Sequence, residues 1–154
     1  MDKREFERRA MAQAKLLHGI AYAMLRREAD CEDAISEALL RAWQKRQSLR
    51  QLPYFETWLT RILINVCKNM LRARRGDVEY IDRANEPQAD YPQLQDALMS
   101  LPLKYRLPLV MHYIEGYAVA EIANLLRLPT TTIKWRMHAA REKLKTALLE
   151  GEDA

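Results

Sequence analysis

Apolar residues return along this chain at helical intervals, in long runs separated by a few breakers. Phe6, Leu17, Ile20, Met24 and Leu25 supply one side of a first helix expected over residues 4–27. Asp30, with Asp33 three positions on, reads as the cap of a second helix running to residue 47. Its inner stripe is Ile35, Ala38, Leu39, Ala42 and Trp43, which leaves Asp33, Glu37, Leu40 and Gln44 pointing outward. A loop over 49–53 precedes a long helix expected over 54–74, with Phe55, Trp58, Leu59, Ile62, Val66 and Met70 on its inner side. Thr57, Arg61, Asn65, Lys68 and Arg72 share the opposite side of that helix. Gly76 suits the left-handed residue that ends it.

Helical periodicity is absent from residue 76 to about 90, which reads as an acidic linker. It resumes with a helix over about 93–100. Pro102 then opens another, expected to reach residue 115 and to be kinked or strained at Pro108, and Gly116 breaks it. Residues 119–126 put Ile122, Ala123 and Leu126 on one stripe. Pro129 cannot continue that helix, and Thr130 is a good N-cap for the next. In this last helix Ile133, Met137, Leu144 and Leu148 point one way, with Ala140 beside them. Thr131, Trp135, His138 and Glu142 point the other way, flanked by Lys134, Arg136 and Arg141. Two helices across a tight turn, the second with polar and basic groups at its exposed start, make a helix-turn-helix. The second helix has the format of one that enters a DNA major groove. A helical hairpin with a solvated basic face is the plainer alternative.

The pattern predicts an all-α protein of two small helical domains, residues 1–75 and 92–150, joined by a linker over 76–91. A length of 154 residues has room for both. A net charge of +4 says little by itself, but its distribution says more. Residues 61–75 carry Arg61, Lys68, Arg72, Arg74 and Arg75 and no acid. Residues 127–145 carry six basic side chains and one acid, Glu142. Between them, residues 77–96 hold six acids against Arg83 alone. Two basic segments flanking an acidic one point to two nucleic-acid surfaces.

Other function classes fare poorly. Cys31 and Cys67 have no CxxC spacing, so neither a zinc site nor a disulfide framework is expected, and a reducing cytoplasm fits. The charged N-terminus does not read as a leader, and no apolar run is long enough for membrane insertion. There is no glycine-rich phosphate loop, HExxH or nucleophile elbow. His18, His112 and His138 are widely separated. Neither a cofactor nor catalysis by the chain alone is expected.

Three stretches carry a family resemblance. "DCEDAISEALLRAWQK", "FETWLTRILINVCKNMLRARR" and "LPLKYRLPLVMHYIEGYAVAEIANLLRLPTTTIKWRMHAAREKL" resemble, in order and with the right spacing, the extracytoplasmic-function (ECF) sigma factors of bacterial RNA polymerase. The resemblance implies that Asp33, Glu37, Leu40 and Gln44 dock on core RNA polymerase. It implies that Arg50 in the loop, with Thr57, Arg61, Asn65, Lys68 and Arg72, melts and reads the single-stranded −10 promoter element. Thr130, Thr131, Thr132, Lys134, Trp135, Arg136, His138 and Arg141 would read the duplex −35 element. An anti-sigma factor becomes a candidate partner. The chain departs from the family pattern at Ser36 and Leu39 in the docking helix. It departs again at Thr131, Trp135 and Ala139 in the recognition helix, places expected to face outward or into the groove.

Two readings compete with a sigma factor. One is a free-standing helix-turn-helix regulator with an N-terminal sensor or dimerisation domain. The other is a helical adaptor without DNA contact. A sensor domain needs neither an outward acidic-apolar face nor an acid-free stripe, and an adaptor leaves both basic segments unexplained.

Overall fold

The computed structural model describes residues 1–74 and 92–152, and every regular element among them is helical. The chain forms two small helical units, Met1–Asn85 and Glu86–Ala154. Gly76 and the linker expected over 76–91 lie outside the described residues.

The first unit contains α1 (Lys3–Ala12), α2 (Ala14–Leu25), α3 (Glu28–Gln44) and α4 (Phe55–Ala73). The single helix expected over 4–27 is therefore two, broken at Gln13. The break coincides with a tertiary contact. Gln13 is buried, and its amide Nε2 donates to the Glu56 carbonyl (2.8 Å) and the Thr60 hydroxyl (3.0 Å), both on α4. Helix α2 ends at Arg26, whose N–H still bonds the Tyr22 carbonyl (2.9 Å) and whose left-handed backbone (φ +67°) turns the chain out of the helix.

Asp30 is not the cap of α3. The Arg27 carbonyl already accepts the Cys31 N–H (2.9 Å), which places Asp30 inside the first turn. There its carboxylate meets the positive end of the helix and ion-pairs with Arg74 at the end of α4. Helix α3 stops at Gln44 rather than residue 47; a 3-10 turn, Arg46–Ser48, follows it, and a second, Leu52–Tyr54, overlaps the end of the loop expected over 49–53. Arg46 holds this exit. Its guanidinium lies 3.8 Å from the Trp43 ring centroid, and its Nη1 donates to the Trp43 carbonyl at 2.8 Å.

The buried side of α3 is built from small residues, Cys31, Ala34, Ala38 and Ala42; Ile35, Leu39 and Trp43 are only half-buried. The inner side of α4 likewise differs from the expected stripe. Leu59 and Val66 are buried, but so are Thr60, Leu63, Ile64 and Cys67, while Trp58, Ile62 and Met70 are half-buried. Both α2 and α3 pack on α4, so its covered arc widens to roughly half the helix. Phe6 on α1 closes the far end, edge-on to Trp43 (5.3 Å) and Phe55 (5.7 Å). Burial pushes both thiols, Cys31 and Cys67, up to about 12; for Cys31 the nearby Glu28 carboxylate adds to the effect.

The second unit contains α5 (Pro92–Ser100), α6 (Leu103–Tyr113), α7 (Val119–Leu126) and α8 (Thr130–Glu152). Helix α6 runs through Pro108 and ends at Tyr113, two residues short of expectation. Pro108 removes one backbone donor, yet it is fully buried among apolar neighbours that hold the helix through that gap. Arg106 is 3% exposed, and its Nη1 donates to the carbonyls of Leu101 (2.7 Å) and Met99 (3.3 Å), which fixes α5 against α6. The turn after α6 is held by His112, whose Nδ1 lies 2.7 Å from the Tyr117 carbonyl. Glu121 then accepts the Ala118 N–H at 3.0 Å, starting α7.

Helix α7 ends in a Schellman arrangement. Leu128 N–H bonds the Ala123 carbonyl (2.9 Å), Arg127 N–H bonds the Asn124 carbonyl (3.3 Å), and Arg127 is left-handed (φ +57°). Pro129 follows, and its carbonyl accepts the Ile133 N–H at 3.2 Å. Thr130 is thus the first residue inside α8 rather than its cap. Helix α8 lies against α5, α6 and α7, with Ile133, Met137 and Ala140 buried and Leu144 and Leu148 half-buried.

Candidate nucleic-acid interfaces

On α3, Asp33, Glu37, Leu40 and Gln44 are all exposed and share one outward face. Leu40 is 51% exposed, and Glu37 pairs along the helix with Arg41 at 2.8 Å. The face is a solvated apolar centre among acids.

On α4, Asn65 and Arg72 are exposed, and Thr57, Arg61 and Lys68 are half-buried. All five lie on the side away from the buried arc, with no carboxylate among them. A long basic side chain laid along a helix can pack its stem and keep its charge outward; in Arg61 the Nε is itself buried. Arg50 is exposed in the loop before α4. Tyr54 (60% exposed) and Leu52 (45%) stand in the same loop. Nothing in the sequence pattern marks these two residues, although an exposed ring beside a basic stripe is the usual platform for an unstacked base.

On α8, Thr130, Thr131, Lys134, Trp135, His138 and Arg141 are exposed, while Thr132 and Arg136 are half-buried. Trp135 is 63% exposed, so an indole stands in solvent on the second turn of the helix. Arg141 donates to the Tyr113 hydroxyl at 2.7 Å, which ties it to the end of α6. Ala139 is not outward or groove-facing: it is half-buried and packs on the cluster of Leu101, Tyr105, Leu109 and Ala140. Among the described residues no group of His, Cys, Asp and Glu side chains could hold a metal ion. No helix among them is long and apolar enough to cross a membrane.

Residues 11–76 match the family described as Sigma-70 region 2, and residues 91–144 match that described as Sigma-70, region 4. SigM of Mycobacterium tuberculosis, an ECF RNA polymerase sigma factor, is 30% identical over 155 residues, spanning 96% of this chain and 79% of its own length. The chain belongs to the ECF sigma factors of RNA polymerase. The ECF sigma factor SigW of Bacillus subtilis is 29% identical over 155 residues, covering 86% of this chain and 82% of its own. Among solved structures, the sigma factor RpoE of Bartonella quintana, in complex with the anti-sigma factor NepR, has the same fold. Its TM-score is 0.79 at 22% identity, over 94% of this chain and 97% of that one. In this ECF sigma factor α3 and α4 fall within the region 2 match, and α6, α7 and most of α8 within the region 4 match. It is a transcription initiation factor that works with RNA polymerase on promoter DNA, and the helix-turn-helix of α7 and α8 belongs to its region 4.

Proposed function

We infer a division of labour among three surfaces. The outer face of α3, with Asp33, Glu37, Leu40 and Gln44, docks on core polymerase. The stripe Thr57, Arg61, Asn65, Lys68 and Arg72 on α4, with Arg50 in the loop, opens and holds the −10 strand. Tyr54 supplies a ring on which an unpaired base can stack. The exposed start of α8, from Thr130 to Arg141, reads the −35 duplex. The domains that perform these tasks are residues 1–75 and 92–150, joined over 76–91. The observation that carries this reading is the pairing, within one helical unit, of an exposed acidic-apolar face on α3 with an acid-free stripe on α4. A sensor or dimerisation domain on a free-standing regulator has no use for that combination.

The chain supplies specificity and leaves chemistry to the polymerase, so it is not itself an enzyme, needs no cofactor and works in the cytoplasm. An anti-sigma factor is a further partner, supported by the complexes named for two proteins of the same fold, RpoE with the anti-sigma factor NepR and CnrH with the cytosolic domain of CnrY. Co-elution of the purified chain with core polymerase is the direct test. A stoichiometric complex is expected, lost on Glu37→Lys combined with Leu40→Ala. A chain that binds duplex DNA as a dimer and ignores the polymerase would favour the regulator instead.

A further inference from the structure

Trp135 is built unlike a solvated surface residue. Its ring centroid lies 6.4 Å from that of Tyr105 on α6, at 47°. Tyr105 is only 9% exposed and sits in the cluster of Leu101, Leu109 and Ala140, so it offers a fixed wall. The wall is charged at its rim: the ammonium groups of Lys104 and Lys143 lie 5.0 Å and 5.2 Å from the Tyr105 ring centroid. The indole is thus braced on one side and 63% exposed overall. It projects from the sixth residue of α8, about 8 Å along the axis from the helix start. That is the part of a recognition helix that reaches base edges.

The chemistry of an indole limits what it can read there. It has one donor and no acceptor, so it cannot make the paired hydrogen bonds by which Arg selects guanine or Asn selects adenine. Its large apolar face can bury only against something apolar, and the one apolar group in the major groove is the C5-methyl of thymine. Lysines at the rim, with Lys134 beside Trp135 on α8, match the phosphates that border such a contact. Resting on the reading of α8 as the −35 reader, we propose that Trp135, positioned by Tyr105, selects a thymine in the −35 element through its methyl group.

The test uses the full chain with core polymerase on a promoter it transcribes, replacing each −35 thymine in turn by deoxyuridine. The base pair is kept and only the methyl is lost. At one thymine the wild type should weaken about fourfold, the value of burying one methyl-sized group. Trp135→Ser should transcribe the methylated and demethylated templates equally. Tyr105→Phe, which keeps the wall, should retain the methyl dependence, and Tyr105→Leu should reduce it. The proposal is overturned if no thymine is sensitive, if the −35 element has none on either strand, or if Trp135→Ser keeps the wild-type dependence. That last result, with weakened binding to a protein partner, would assign the indole to that partner. Failure to transcribe any template at all would instead count against the −35 reading on which the proposal rests.

Discussion

Combining Glu37→Lys with Leu40→Ala separates docking from folding more sharply than any other change on this surface. Both side chains are outside the core: Leu40 is 51% exposed, and Glu37 makes only an exposed pair with Arg41, four residues on. Losing such a pair costs about 0.3–0.5 kcal/mol, and the like charges that replace it cost a similar amount. Truncating a half-exposed leucine adds little to the free chain, so unfolding should shift by about 1 kcal/mol or less. Binding should respond differently. Reversing a charge that becomes desolvated against a basic partner costs at least about 2 kcal/mol. The exposed half of Leu40, buried on docking, contributes about 1 kcal/mol more. A total of about 3 kcal/mol corresponds to roughly a hundredfold weaker dissociation constant for core polymerase. Fluorescence anisotropy of labelled sigma factor titrated with core enzyme measures that constant, and circular dichroism during heating measures the fold. Unchanged affinity, or a loss of affinity accompanied by an equal loss of fold, would refute the assignment of this face.

Other outcomes follow from the same structure. Lys68→Ala with Arg72→Ala should lower the salt dependence of open-complex formation by about 0.7 in log–log slope per lost single-strand phosphate contact; a wild-type slope and bubble footprint would make α4 a merely solvated face. Arg127→Gly should raise the unfolding temperature of the second unit by several degrees. A left-handed residue other than glycine costs about 1 kcal/mol, and in a domain this small that is roughly 4–8 °C; no rise would show that the turn is unstrained. Cys31 and Cys67 are held as neutral thiols, with folded pKa values raised above the ordinary 9.0 to about 12. Their contribution to stability is therefore complete below about pH 9 and is lost as pH rises towards 12. A disulfide reagent at pH 8 should label them only as fast as the protein unfolds, and prompt labelling of the native chain would contradict their burial.

The outward faces were legible in the sequence because solvent does not negotiate. Once a helix is placed, spacing of about 100° per residue decides which side chains point away from the core. Asp33, Glu37, Leu40 and Gln44 on α3, and Thr131, Trp135 and His138 on α8, are exposed as the pattern required. The inward sides were less legible because burial depends on neighbours. Thr60 is polar, yet fully buried, because Gln13 reaches it from 47 residues away. That same contact sits at the break between α1 and α2, at a residue with good helical propensity, where no local rule foresees one. Asp30 carries the signature of a cap, but Arg74 at the far end of α4 gives it a different task. Tyr105 reads as one more apolar position in α6, and only the folded chain sets its ring beside Trp135. Its rim lysines, Lys104 and Lys143, look in sequence like ordinary surface charge.

Run-off transcription with core polymerase, this sigma factor and fragments of its own genome measures the central claim in one experiment. Transcripts that need the added chain should start downstream of a shared pair of elements. Permanganate should show the −10 strand open in wild type and closed when Arg61, Asn65 and Lys68 are replaced by alanine, while closed-complex binding persists. Transcripts that ignore those substitutions, or a chain that binds promoter duplex without directing the polymerase to start, would contradict the assignment of opening to α4 and of promoter choice to this protein.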